Sequence, residues 1–320
     1  MKTKPVGIGS FLVGPGRPPF VVAEIGINHN GFVEEVKKLI DAACAAGCHA
    51  VKFQKRTVEV VYTQEDLARR RQIPSNTGIL QNAVKRRVLS PEAVDRLTKS
   101  DFEDTTQGDL KYTLEFTEAD FLEIIAYCAQ KGMLWFASPW DEGSVDFLEK
   151  LNPPCHKVAS ASLTDSGLLT RLKETGRPII ASTGMSTLEE IDQAVRILGV
   201  ENLILMHTVS TYPTADHHMN LRVIGTLQGR YQSVPIGYSG HEKDILPSVL
   251  SVALGACMVE RHLTLDVRNW GSDQAASLEP HQLKEMNDQI ARLVLIMGTG
   301  DKVVIPEEVA VQKKLRRKYL

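Results

Sequence analysis

Residues 252–262 read VALGACMVERH: an apolar helix end closes on Gly255, and an apolar strand follows that finishes in Glu260, Arg261 and His262. Glycine at such a junction supplies the left-handed backbone conformation that stops a helix. The same phrase recurs at 45–53 (AAGCHAVKF), 129–138 (AQKGMLWFAS), 173–183 (KETGRPIIAST) and 196–208 (RILGVENLILMHT). From these junctions, strands are expected at 20–25, 50–54, 134–138, 157–160, 178–182, 203–208, 234–239 and 258–263. Helical patterns separate them, such as FVEEVKKLIDAACAAG, with Val33, Val36, Ile40 and Ala43 on one face. Thr117 precedes Asp120 by three residues and Thr187 precedes Glu190 by three, as in a capping box, and Pro280 suits a first helical position. The strands are apolar runs rather than alternations, which fits a parallel sheet buried on both faces. Eight such strand-helix units are the arithmetic of an α/β fold of the (β/α)8 type, a TIM barrel. A doubly wound sheet usually carries a GxGxxG loop after its first strand, whereas the turn at 26–31 reads GINHNG.

The 320 residues suit a single barrel domain, with its core over 18–298 and an extension at 299–320. A polar interval at 55–115, with RRR at 69–71 and KRR at 85–87, breaks the rhythm after strand two and reads as a long loop excursion, a candidate lid. With 37 basic against 39 acidic side chains, the chain lacks the cationic excess that nucleic-acid phosphates require. No apolar run approaches a membrane span, and the Pro- and Gly-broken N-terminus is unlike a signal peptide, so a cytoplasmic location is expected. Five cysteines without a CxxC pair read as reduced core thiols, with Cys44 and Cys48 sharing a helix face. The tail VAVQKKLRRKYL (309–320) reads as a solvated basic helix end.

In a barrel, the C-terminal strand ends and the loops after them build the active site. All eight expected ends are polar: Glu24, Asn28 and His29; Lys52 and Gln54; Ser138; Lys157 and Ser160; Ser182 and Thr183; His207, Ser210 and Tyr212; Ser239 and His241; Glu260 and His262. A purely structural barrel has no use for this, because withdrawing an unpaired polar group from water costs about 2 to 7 kcal/mol, and a charge more. Lys52 and Lys157, with the hydroxyls of Ser138, Ser160, Ser182 and Ser239, are expected to form an anion-binding ring for a phosphate, a carboxylate or both. The competing explanation is that each lysine snorkels out of the barrel or pairs with Glu24. His241 and His262 end neighbouring strands, so their imidazoles can meet over the barrel mouth and hold a divalent metal with open positions. Two hydrogen-bonded rim histidines are the alternative, and His207, His217 and His218 read as loop or rim residues.

FVVAEIGINHNG, VKFQKRT, HKVAS, ASTGMSTLEEI, HTVSTYPT, PIGYSGHE and VERHLTLD followed by GSDQAASLEP, taken in this order, resemble the sialic acid synthase family, the N-acetylneuraminate synthase group, from about residue 5 to residue 315. The resemblance implies a TIM barrel that condenses phosphoenolpyruvate with an N-acetylated hexosamine aldehyde resembling N-acetylmannosamine. The products are a nine-carbon 2-keto-3-deoxy acid and phosphate, and the metal is Mn2+ or Mg2+. It implies that Lys52, Ser138, Lys157, Ser160, Ser182 and Ser239 bind phosphoenolpyruvate, with Ser210 where the family often has Asn. His241 and His262 match metal ligands, while Glu24, Gln54, Tyr212, Glu260 and Asp273 match positions facing the acceptor sugar or the reacting centre, and IPSN offers Asn76. Glu24, Lys52 and Glu260 are the catalytic candidates: a carboxyl to manage the proton and a lysine to neutralise the departing phosphate.

The chain departs from the family in GYSGH, where many members have Asp before the His, and in ASASLTD, where Ser162 replaces a Gly or an acidic or amide residue. Family members usually continue into a small antifreeze-like domain that reaches across a dimer and places an Arg on the partner's acceptor sugar. The sequence ends before such a domain, as either a barrel cut from a longer protein or a natural short member. In the second case the 55–115 segment, with its arginines as substitutes, is the candidate to close the acceptor site. A homodimer is expected from the resemblance. Two other readings compete: a condensing synthase for an aldose phosphate of the octulosonate or heptulosonate type, and a non-catalytic barrel that acts as a binding partner.

Overall fold

The computed structural model describes residues 3–317. Two short strands, β1 (Val6–Ile8) and β2 (Phe11–Val13), pair as an antiparallel hairpin before the barrel begins. Then follow β3 (Phe20–Gly26), β4 (Ala50–Lys55), β5 (Leu134–Pro139), β6 (His156–Val158), β7 (Ile179–Ser182), β8 (Leu203–Thr208), β9 (Ile236–Gly240) and β10 (Met258–His262). These eight are parallel and close in sequence order, with β10 returning to β3. Each lies within about two residues of its expected position, the usual blur of an element boundary. All five junction glycines have positive φ, from 65° at Gly132 to 93° at Gly255. The capping boxes at Thr117 and Thr187 form, and Pro280 opens the helix Pro280–Met297.

The hairpin was not expected from sequence, because three-residue strands among Gly and Pro give too short a pattern to read. Its Val6, Ile8 and Val13 pack with Val22, Phe136, Ile180, Ile204 and Met258 and plug the barrel at the end opposite the site. The outer core lies between the strands and the surrounding helices: Val36, Leu39, Ile40 and Ala43 of the helix Val33–Ala45 meet Val21, Ile25, Val51 and Phe53.

The 55–115 interval is not a loop. It folds into five helices, Val58–Val61, Gln64–Ala68, Ile79–Arg86, Pro91–Lys99 and Gln107–Leu114, around a small core of Ile79, Leu80, Leu97, Leu110 and Leu114. Its high charge masked a thin apolar stripe on each short helix. Cys44 is exposed rather than core, and Cys48 lies beyond the helix end, so the two share no helix face. The helix Pro306–Leu315 has no buried residue, and Lys318–Leu320 of the basic tail lie outside the described residues. No helix among the described residues is long and apolar enough to cross a membrane.

Candidate active site

Strand register decides which polar ends meet. Glu24 pairs in register with Lys52 on one side and His262 on the other, and Ser239 stands level with Glu260. The C-terminal ends thereby surround a cavity of about 320 Å³, lined by Glu24, Lys52, Gln54, Ser138, Lys157, Ser160, Ser182, Ser210, Tyr212, Ser239, His241, Glu260, His262 and Asp273. Asn76 does not join them; it sits exposed on a turn within the helical excursion, and the IPSN match does not bring it to the cavity.

The floor is a buried charge cluster. Lys52 and Lys157 are 5% and 2% exposed, so neither snorkels out. Lys52 Nζ lies 2.9 Å from Glu260 Oε1 and 3.3 Å from Glu24 Oε2, the latter an ion-pair contact without hydrogen-bond geometry. The alternative pairing with Glu24 is therefore present for Lys52 and absent for Lys157, whose only acidic neighbour within ion-pair distance among the described residues is Glu260. Lys157 donates to Ser182 Oγ at 2.6 Å and approaches Glu260 at 3.6 Å. Ser239 donates to Glu260 Oε1, and Gln54 donates to Glu24 Oε1.

The environments drive the two carboxyls apart. Burial, reinforced by the Glu260 charge, lifts Glu24 to about 7 against the pull of Lys52. Burial would raise Glu260 as well, but Lys157 and Lys52 outweigh it and bring it down to about 2. Burial lowers Lys157 to about 8, with Glu260 opposing. Burial lowers Lys52 too, yet Glu24 and Glu260 together hold its ammonium above the usual range. One carboxyl thus exchanges a proton near neutrality while the other stays ionised, the division of labour of an acid-base pair.

Ser138 Oγ and Ser210 Oγ are buried without hydrogen-bond partners. Buried hydroxyls are normally satisfied, so these two have hydrogen-bonding capacity to offer a group in the cavity. Gly184 completes the wall: a Cβ there would fall 2.2 Å from Ser210 Oγ and 2.7 Å from Ser160 Oγ, and its own N–H donates to Ser160 Oγ at 3.1 Å.

His241 and His262 meet as expected, with ring centroids 5.4 Å apart and the Tyr212 ring 4.1 Å from that of His241, tilted by 42°. Burial, with the charge of His262 adding, pulls His241 down to about 4; burial, with Lys52 adding, pulls His262 to about 3. Both rings are therefore neutral at physiological pH, the form that ligates metal. His241 Nδ1 lies 2.8 Å from the Val209 carbonyl and must donate to it, which leaves the Nε2 lone pair free. His262 Nδ1 is buried without a hydrogen-bond partner, 3.9 Å from Asp273 Oδ2. This donor set fits a divalent cation. Among the described residues no cluster of three or more His, Cys, Asp or Glu could hold a metal, so any metal here takes two imidazoles and fills its other positions from substrate or water.

The lining also includes Arg56, Tyr62, Lys111 and Trp140, none of which sequence reading singled out. The signal for Arg56 was available, since Lys52, Gln54 and Arg56 alternate along one strand face. Of the arginines in the 55–115 segment, Arg56 lines the cavity, whereas Arg69, Arg70 and Arg71 lie outside the lining and exposed. Ser162 is buried and also off the lining.

A closed parallel barrel with buried lysines, a split pair of carboxyls and two neutral imidazoles gathered at its C-terminal mouth has the architecture of an anion-handling enzyme. The NeuB family profile matches residues 80–302. The N-acetylneuraminate-9-phosphate synthase of Drosophila melanogaster is 37% identical over 86% of this chain and 68% of its own. The N,N'-diacetyllegionaminic acid synthase of Campylobacter jejuni is 32% identical over 88% of this chain and 78% of its own. A crystal structure of N-acetylneuraminic acid (sialic acid) synthetase from Leptospira borgpetersenii in complex with citrate superposes with a TM-score of 0.79 at 28% identity, covering 99% of each chain. The chain belongs to the NeuB family.

Proposed function

We propose that this protein condenses phosphoenolpyruvate with an N-acetylated hexosamine aldehyde, with Mn2+ or Mg2+, to give a nine-carbon 2-keto-3-deoxy acid and phosphate. The observation that carries this reading is the sharing of one cavity by the Lys52–Lys157 hydroxyl ring and the two uncharged imidazoles. His241 and His262 would hold the cation, which when bound supplies a Lewis acid that polarises the acceptor carbonyl. Lys52, Lys157 and the unpartnered Ser138 and Ser210 hold the phosphate and carboxylate of phosphoenolpyruvate, leaving its carbon 3 free to bond to the aldehyde carbon. As that bond forms, the carbonyl π bond opens and its oxygen takes up a proton to become the new hydroxyl. Glu24, poised near neutrality, takes the proton from the water that adds at carbon 2. The lysines then neutralise the phosphate as its bond to carbon 2 breaks. The full set of Lys52, Lys157, His241 and His262 gathered in one cavity also argues against a retired, non-catalytic barrel, which has no use for keeping all four.

A cytoplasmic location belongs to this reading. A homodimer belongs to the same reading, supported by the exposed apolar stripe Leu246, Leu250 and Leu254 along the helix Leu246–Ala253 and its cap; light scattering across concentrations tests it. For the activity, the protein is incubated with phosphoenolpyruvate, Mn2+ and a panel of aldehydes while phosphate and keto acid are followed together. The two products should appear in step with an N-acetylhexosamine and vanish on chelation. Turnover only with arabinose 5-phosphate or erythrose 4-phosphate would replace this reading by the octulosonate or heptulosonate type.

A further inference from the structure

Lys52, Gln54 and Arg56 all line the cavity from β4 and its continuation. At about 3.3 Å per residue, their backbone positions climb roughly 13 Å from floor to mouth. Lys52 at the bottom is engaged by Glu24 and Glu260. Arg56 at the top is buried, stacks 4.9 Å from the Trp140 ring, donates to the Tyr62 hydroxyl at 3.1 Å and is neutralised from behind by Glu115 at 2.9 Å. The helix Gln107–Leu114 brings a further cation to this level: Lys111, half-buried, with Nζ 4.7 Å from the centre of the Tyr62 ring. Unlike the floor lysines, Lys111 forms no ion pair among the described residues, so its charge is available to a ligand.

The cavity therefore holds cations at two levels: Lys52 and Lys157 beside Glu24 and Glu260 at the floor, and Arg56 and Lys111 at the mouth. An uncharged acceptor would need only hydroxyl partners at the mouth and would leave Lys111 without a counter-charge. With the reacting carbon held over the floor, the remainder of an acceptor extends toward the mouth. We propose that Arg56, Tyr62 and Lys111 form a second anion subsite, which takes a phosphate monoester at the end of the acceptor sugar remote from its aldehyde. The helical excursion thus acts as the specificity wall of the site. This rests on the condensing reading above.

The test compares N-acetylmannosamine with its 6-phosphate as acceptors for the wild type, Lys111→Gln and Lys111→Arg. The wild type should prefer the phosphorylated sugar. Lys111→Gln should lose about tenfold to a hundredfold in kcat/KM for it, through KM, as expected for one charged hydrogen bond. The KM for phosphoenolpyruvate and the turnover of the unphosphorylated sugar should stay put, and Lys111→Arg should retain the preference. A wild type that prefers the unphosphorylated sugar, or an equal loss on both acceptors, overturns the subsite. Calorimetry with N-acetylmannosaminitol 6-phosphate, which has no aldehyde and cannot condense, reads the subsite without turnover. If neither sugar yields keto acid while this alditol phosphate still binds in a Lys111-dependent manner, the condensing reading falls and the subsite stands. If it binds no better than the unphosphorylated alditol, the subsite falls.

Discussion

Arg261 Nη1 lies 2.9 Å from Glu242 Oε1, with both side chains sealed from water. The pair ties β10, which carries Glu260 and His262, to the turn that carries His241, and so fixes how the two imidazoles face each other. Tyr238 and Ser248 donate to the same carboxylate, each at 2.8 Å. Removing one partner strands a buried charge, so Glu242→Ala should cost about 3 to 5 kcal/mol in urea unfolding. A double variant, Glu242→Leu with Arg261→Met, should recover most of that loss, because a packed apolar pair often matches a buried ion pair. Wild-type stability in the single variant would show that the pair holds nothing.

The opposed shifts of Glu24 and Glu260 lead to a kinetic expectation. The kcat profile of the wild type should bend near pH 7, where the floor cluster exchanges its proton, the apparent value belonging to the cluster as a whole. Glu24→Gln should lower kcat by about 10²- to 10⁴-fold and abolish the bend. A variant whose profile still bends near pH 7 would assign the proton to another group.

Much of this site was legible because barrel strands are short, buried runs whose ends must be polar for a reason. Lys52, Lys157, His241 and His262 were found by position alone, before any resemblance. Arg56, Tyr62 and Lys111 were missed because all three lie in the 55–115 excursion, whose tertiary path no local pattern encodes beyond the strand alternation that reaches Arg56. Asn76 failed for the converse reason: a four-residue match carries no information on where its loop travels. The glycine in GYSGH is explained only by the structure. A Cβ at Gly240 would fall 2.4 Å from Glu242 Oε2, so the carboxylate that follows the histidine occupies the space an aspartate side chain before it would need.

Gly184 offers a sharper probe of the anion ring than any of its charged members. Gly184→Ala adds a methyl group where Ser210 Oγ and Ser160 Oγ already stand, without touching the barrel core. The displaced hydroxyls should raise the KM for phosphoenolpyruvate about tenfold or more, the worth of a hydrogen bond to a charged group, while the melting temperature stays near that of the wild type. An unchanged KM would remove Ser160 and Ser210 from the anion site.

His29 is one of several buried histidines expected to make the fold less stable in acid. It is buried, its ring lies 4.3 Å from that of Phe116, and its Nδ1 accepts from the Gly31 N–H at 2.9 Å, which requires the neutral imidazole. Burial, with the Arg86 charge adding, lowers it from 6.5 to about 3. Below pH 6.5 the unfolded chain therefore binds a proton that the folded chain refuses, so stability is full above 6.5 and falls as the pH drops toward 3. The loss from this residue alone approaches about 5 kcal/mol. His241 and His262 act in the same direction. Unfolding free energies measured by urea between pH 7 and pH 4 should decline with a slope that His29→Gln makes shallower by about 1.4 kcal/mol per pH unit, one proton's worth. Parallel slopes for the two proteins would mean that His29 takes up its proton without unfolding the barrel, through an opening of the 26–31 turn that the fold tolerates.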